Sequence, residues 1–157
     1  MNDDESNRVR SMRMRTIGAA TAVAALLLVG CGDSESGGSG SDGVDGATQE
    51  AIDLMDEGEM KTETGESDVT VDAVDNNFKP KYIEISKGTA VKFVNEGRNI
   101  HNVMPVADGA FTPIEADVFD PGDDGTVTFD EVGDFPYYCT LHGTKTKGMI
   151  GGIRVVE

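Results

Sequence analysis

From about residue 68 onward, apolar and polar residues alternate in short runs, the period-two pattern of half-buried strands. Val69, Val71 and Ala73 alternate with Thr70 and Asp72, Ile83 and Ile85 flank Glu84, and Lys87-Gly88 turns the chain into Val91 and Phe93. Phe78-Lys79-Pro80 makes a corner. Residues 107–125 carry Asp108-Gly109, Pro113, Pro121-Gly122 and Asp124-Gly125, so they read as mostly loop. Val127 and Phe129 then alternate with threonines, Gly133 marks a turn, Phe135, Tyr137 and Cys139 share one parity, and Ile153 and Val155 close the sheet. Short strands with regular turns and no long amphipathic helix predict an all-β, Greek-key β-sandwich over residues 68–157.

The first 67 residues follow other rules. Arg8, Arg10, Arg13 and Arg15 precede an apolar run from Ile17 to Val29. That run is too short for a mature membrane span and suits the hydrophobic region of a secretory signal. It ends in Leu28-Val29-Gly30-Cys31, which resembles a lipobox, where a bacterial lipoprotein signal is cut before a cysteine that then carries lipid. The expected organisation is a signal peptide over 1–30, then a lipidated Cys31 heading a flexible, acidic, Gly/Ser-rich tether over 31–67. The domain would be exported and held by lipid on the extracytoplasmic side of the cell membrane. Within the tether, Ala51, Ile52, Leu54 and Met55 fall near helical spacing after Thr48, enough only for a short, marginal helix.

Charge narrows the partners. A net charge of −16 argues against nucleic acid, whose phosphates require a basic face. Anionic lipid headgroups would also repel the chain, which favours a covalent anchor over electrostatic adsorption. There is no Walker loop, dinucleotide fingerprint or His-Glu-x-x-His helix. The two cysteines, Cys31 and Cys139, each have a better use than pairing with the other.

Cys139, His142 and Met149 bring a thiol, an imidazole and a thioether into one loop at a strand end. Two imidazoles and a thiolate with a weak axial thioether form the set that suits copper in electron transfer. His101 is the only other histidine in the chain. Met104 has the opposite strand parity to His101 and reads as core or rim. Three ligands without the thioether would suit structural zinc instead.

The segments Asn-x-Gly-x-x-x-His-Asn, at residues 95–102, and Tyr-x-Cys-x-x-His-x6-Met, at 137–149, together resemble the blue copper proteins of the plastocyanin, pseudoazurin and amicyanin type. The resemblance spans about Asp68 to Glu157. It implies one copper ion (Cu+/Cu2+) held by His101, Cys139, His142 and Met149, with electron transfer rather than enzymatic catalysis as the activity. The spacing from His142 to Met149 is longer than such loops usually have. The family also implies that Asn102 and Thr140 hydrogen-bond to tie the two ligand loops together, and that electrons pass at the His142 edge through an apolar patch. Lys145 and Lys147 flank that port and are candidate docking charges for a redox partner protein. A monomeric, lipid-anchored blue copper electron carrier is the leading expectation. A copper chaperone or store that supplies an oxidase is the alternative.

Overall fold

A computed structural model describes residues Asp45–Glu157. The expected signal peptide, Cys31 and the first part of the tether lie outside the described residues. Two sheets pack face to face. One holds β1 (Met60–Thr62), β4 (Tyr82–Ser86), β9 (Lys147–Val156), β8 (Gly133–Thr144) and β6 (Met104–Pro105), in that order. The other holds β3 (Asn77–Lys79), β2 (Asp68–Val74), β5 (Thr89–Asn95) and β7 (Asp124–Phe129). The sandwich anticipated from the alternation is therefore present.

The alternation also sets which side chains turn inward. Val69, Val71 and Ala73 of β2 meet Ile83 and Ile85 of β4 and Ile153 and Val155 of β9 in one core. Tyr137 lies among Phe78 and Phe93, with edge-to-face ring centroids at 4.9 and 5.3 Å. Its hydroxyl is buried without a protein partner, and desolvation holds the phenol protonated far above its usual range. The β2–β3 connection is a two-residue turn in which Asp75 and Asn76 both take positive φ, 47° and 64°, as a tight hairpin requires.

Residues 46–67 depart from the expected tether. Gly46–Glu57 form a helix, α1, and Met60–Thr62 add a parallel edge strand beside β4. The Asp45 side chain caps the helix by accepting from the backbone N–H groups of Ala47 and Thr48. Thr48, Ala51 and Met55, at helical spacing, bury one face of α1 against β8 and β9. A helix of this length is marginal alone, and burying Met55 contributes about 1.5–3 kcal/mol. Composition suggested a linker because the residues around this face are mostly polar or acidic, with only Ile52 and Leu54 as larger apolar exceptions.

Gly151 and Gly152 make this double packing possible. They are consecutive on β9 and so face opposite sides of the sheet. A Cβ on Gly151 would lie 2.5 Å from the Tyr137 ring, whereas one on Gly152 would overlap the Met55 thioether. Each missing side chain is a notch for a large one. Gly151→Ala should destabilise the metal-free chain by roughly 1–3 kcal/mol through overpacking against Tyr137. Urea unfolding would measure this, and an unchanged midpoint would show that the ring can move aside.

Candidate metal centre

The site forms where β8 and β9 lose register. Tyr138 pairs with Ile150, and the next pair is Gly143 with Gly148, so Cys139–His142 stand opposite the single residue Met149. This mismatch pushes the Cys139–His142 segment out of the ladder. Beyond it, the Thr144–Lys147 pair closes a tight turn. The residues that lengthen the interval between His142 and Met149 are thus zipped into a hairpin tip. His142 and Met149 stay on either side of its base.

That base is narrow. A Cβ on Gly143 would sit 2.7 Å from the Lys147 carbonyl oxygen, and one on Gly148 would sit 2.6 Å from the His142 carbonyl oxygen. Gly148 also has φ +82°, a conformation that favours glycine. Both positions need glycine for the strands to cross so closely.

Three donor atoms converge beside it. His101 Nδ1 and His142 Nδ1 lie 3.1 Å apart, and the Cys139 Sγ lies 3.8 Å from the first and 3.6 Å from the second. A triangle with these edges has its centre about 2.0 Å from each corner, close to the bond lengths of first-row metal ions to imidazole nitrogen and thiolate sulfur. The donor set therefore fits one metal ion in a trigonal plane. Cys139, His101 and Met149 are fully buried, and His142 is half-buried. Met149 shares the core cluster with Cys139 and lies near the other three. Met104 pairs with Tyr138 on β6 and is only half-buried.

Burial pushes the His101 pKa down, and the neighbouring His142 adds to the effect. The neutral imidazole that a metal binds is thereby favoured. The second nitrogen of His101, Nε2, is buried with no hydrogen-bond partner. It faces Gly97, where a Cβ would come within 3.3 Å. Ligand histidines usually have the other ring nitrogen held by a hydrogen bond. Hydrogen bonds to the backbone around His101 help to position the ring instead.

The residue responsible is Asn95, which the sequence reading did not single out. Its buried amide donates to the carbonyls of Asn99 and Phe119 at 2.9 Å each, and its oxygen accepts from Gly97 N–H at 3.1 Å. The Phe119 carbonyl also accepts from the His101 N–H, at 3.4 Å. One side chain thus pins both the loop that precedes His101 and the segment beside it. The signal was present as the first asparagine of the upstream motif, but its role depends on Phe119, far along the chain.

Asn102 and Thr140 bridge the two ligand segments reciprocally. Asn102 Nδ2 donates to Thr140 Oγ1, and Thr140 N–H donates to Asn102 Oδ1, both at 2.8 Å. Lys147 is exposed and Lys145 is half-buried. The Asp45 carboxyl is held below its usual range mainly by its bonds to Thr48, with Lys145 contributing. Lys145 therefore lies within electrostatic reach of the α1 cap. Replacing Asn95 with Ala should weaken metal binding about 10–100-fold, the range for groups that orient a ligand. Competition with a chelator would read this, and unchanged affinity would mean that strand packing alone holds His101.

A family model for "Copper binding proteins, plastocyanin/azurin family" matches residues 65–156. The chain is 32% identical over 85 residues to the chloroplastic plastocyanin of Chlamydomonas reinhardtii, an alignment covering 50% of this chain and 57% of that protein. The chain thus spans less than two thirds of that relative's length. Among solved structures, it is similar to a pseudoazurin from Sinorhizobium meliltoi (25% identity, TM-score 0.46, covering 57% of this chain and 74% of that one). A copper-containing nitrite reductase from Thermus scotoductus SA-01 also matches (30% identity, TM-score 0.46, covering 57% and 22%). With two packed sheets, a fitting donor set and a family match over more than half its length, the chain belongs to the plastocyanin/azurin family of copper-binding proteins and is a blue copper cupredoxin with one copper ion as its cofactor.

Proposed function

We propose that the protein carries single electrons between redox partner proteins, with His101, Cys139 and His142 as the strong copper ligands and Met149 as the axial one. The observation that supports this best is the triangle of two Nδ1 atoms and one Sγ, with His101 and Cys139 buried in a packed core. Bound there, the ion supplies one-electron chemistry between Cu+ and Cu2+. The protein's part is to keep the donors still. Asn95 holds the His101 loop, the Asn102–Thr140 bridge ties it to Cys139, and the hairpin base places Met149. Donors fixed by the fold have little to rearrange when charge changes, which favours transfer over substrate chemistry. A carrier that hands copper to another protein needs accessible sulfur, and Cys139 and Met149 are fully buried.

His142 is the most accessible of the three strong ligands, and we read its edge as the electron port. The exposed apolar residues nearby in the chain fit a docking patch: Leu141 precedes His142, Ile100 precedes His101, and Val118 precedes Phe119. Lys145 and Lys147 are read as steering charges for an acidic partner. Export with a lipid at Cys31 remains part of this reading and is supported by the sequence alone, through the arginines, the apolar run and the lipobox-like Leu28–Cys31. Among the described residues no helix is long and apolar enough to cross a membrane. The folded unit would then follow a tether shorter than the sequence suggested, since α1 begins at Gly46.

A redox titration of the copper-loaded chain tests the proposal. An intense visible thiolate-to-copper band should bleach reversibly, and Cys139→Ser should abolish it because a hydroxyl is a hard and normally protonated ligand. A Cys139→Ser variant with the full native band would refute the assignment. Once a native partner is in hand, Lys147→Glu should slow electron transfer at low salt, and the deficit should shrink as salt rises. Equal rates at low ionic strength would place docking elsewhere.

A further inference from the structure

The helix α1 lies outside the residues that match the family, yet it packs along the strand that carries Met149. Its outer surface is mostly polar, but its inner face is specific. Met55 fills the notch over Gly152, three residues beyond Met149. Just past the end of the helix, Gly58 lies where any Cβ would overlap the Tyr82 ring, so Tyr82 of β4 is buried beneath it. Arg154, further along β9, donates to Asp134 of β8 through Nε (2.7 Å) and Nη2 (3.1 Å), and Nη2 also donates to Asp56 of α1 at 2.6 Å. One guanidinium thus joins β8, β9 and α1.

This placement matters because the ladder itself is weakest there. Between the Tyr138–Ile150 and Gly143–Gly148 pairs, no β8 residue pairs with Met149. Met149 is fully buried and faces the core, so its contacts come from side-chain packing and not from the ladder. A strand with a broken ladder and glycines at 148, 151 and 152 needs support from its outer face to keep a thioether at a fixed distance.

We propose that α1 is a buttress for the ligand hairpin and that Met55 and Asp56 are positioning residues, which fix β9 and so the distance of the Met149 thioether from the His101–Cys139–His142 plane. This rests on the reading of Met149 as the axial ligand. A long axial bond is soft, so small movements of β9 change the reduction potential while leaving the three strong bonds intact.

The test is a double-mutant cycle on the copper-loaded chain, read by midpoint potential and visible spectrum. Met55→Ala empties the notch over Gly152, and Asp56→Asn weakens the Arg154 link from an exposed position without touching the core. Both should shift the potential while the thiolate-to-copper band persists. In a Met149→Leu background, where no thioether remains to be placed, neither should cause a further shift. In the metal-free chain, amides of residues 147–150 should exchange with solvent faster in Met55→Ala than in the native protein. If Met149→Leu shifts the potential but Met55→Ala and Asp56→Asn only lower the melting temperature, α1 is a stabilising cover and the buttress is overturned. If Met149→Leu also leaves the potential unchanged, the axial assignment falls and takes the buttress with it.

Discussion

Four residues of β8 face one residue of β9 at the end of the sandwich, and a sheet can absorb that mismatch only if the strands rejoin at once. Gly143 and Gly148 allow it, because any side chain at either position would collide with the opposite backbone. Cys139 and His142 are thereby looped out over Met149, and the hairpin beyond can have its own length without moving them. His101 arrives from the β5–β6 connection, held by Asn95 and by the bridge between Asn102 and Thr140. The donors are placed by backbone register and by three polar side chains, two of them buried asparagines.

Much of this was legible in the chain because a sandwich writes itself as alternation. Val69, Val71, Ala73, Ile83, Ile85, Val91 and Phe93 all turned inward as their parity required. The thiol and the imidazoles stood at strand ends, where a sheet delivers side chains to one place. What could not be read was contact between distant segments. Asn95 works through the carbonyl of Phe119, and α1 is held by a notch at Gly152. Seen as composition, residues 46–67 are a polar linker; seen against β9, Thr48, Ala51 and Met55 are a buried face. The spacing from His142 to Met149 is of the same kind. Counted along the chain it is long, but the ladder folds it back on itself.

The arrangement explains why such a site suits electron transfer. His101 is buried, and that burial lowers its pKa and so favours the neutral imidazole that a metal binds. His142 is the more exposed of the two, so the same pair of rings gives one inward anchor and one outward edge. The apolar residues Ile100 and Leu141, each next in the chain to one of these histidines, are exposed. One half-exposed ring beside two buried donors suits the proposed route for electrons through His142.

The central claim is that two imidazoles and one thiolate bind a single copper ion in the plane that the fold has already set. X-ray absorption at the copper edge of the oxidised, singly loaded chain tests this most directly, because it counts and types the nearest atoms. The account predicts one short sulfur neighbour and two imidazole nitrogens, with the same neighbours in the reduced protein and little change in their distances. A first shell of nitrogen and oxygen alone, or a sulfur distance that changes markedly on reduction, would contradict it.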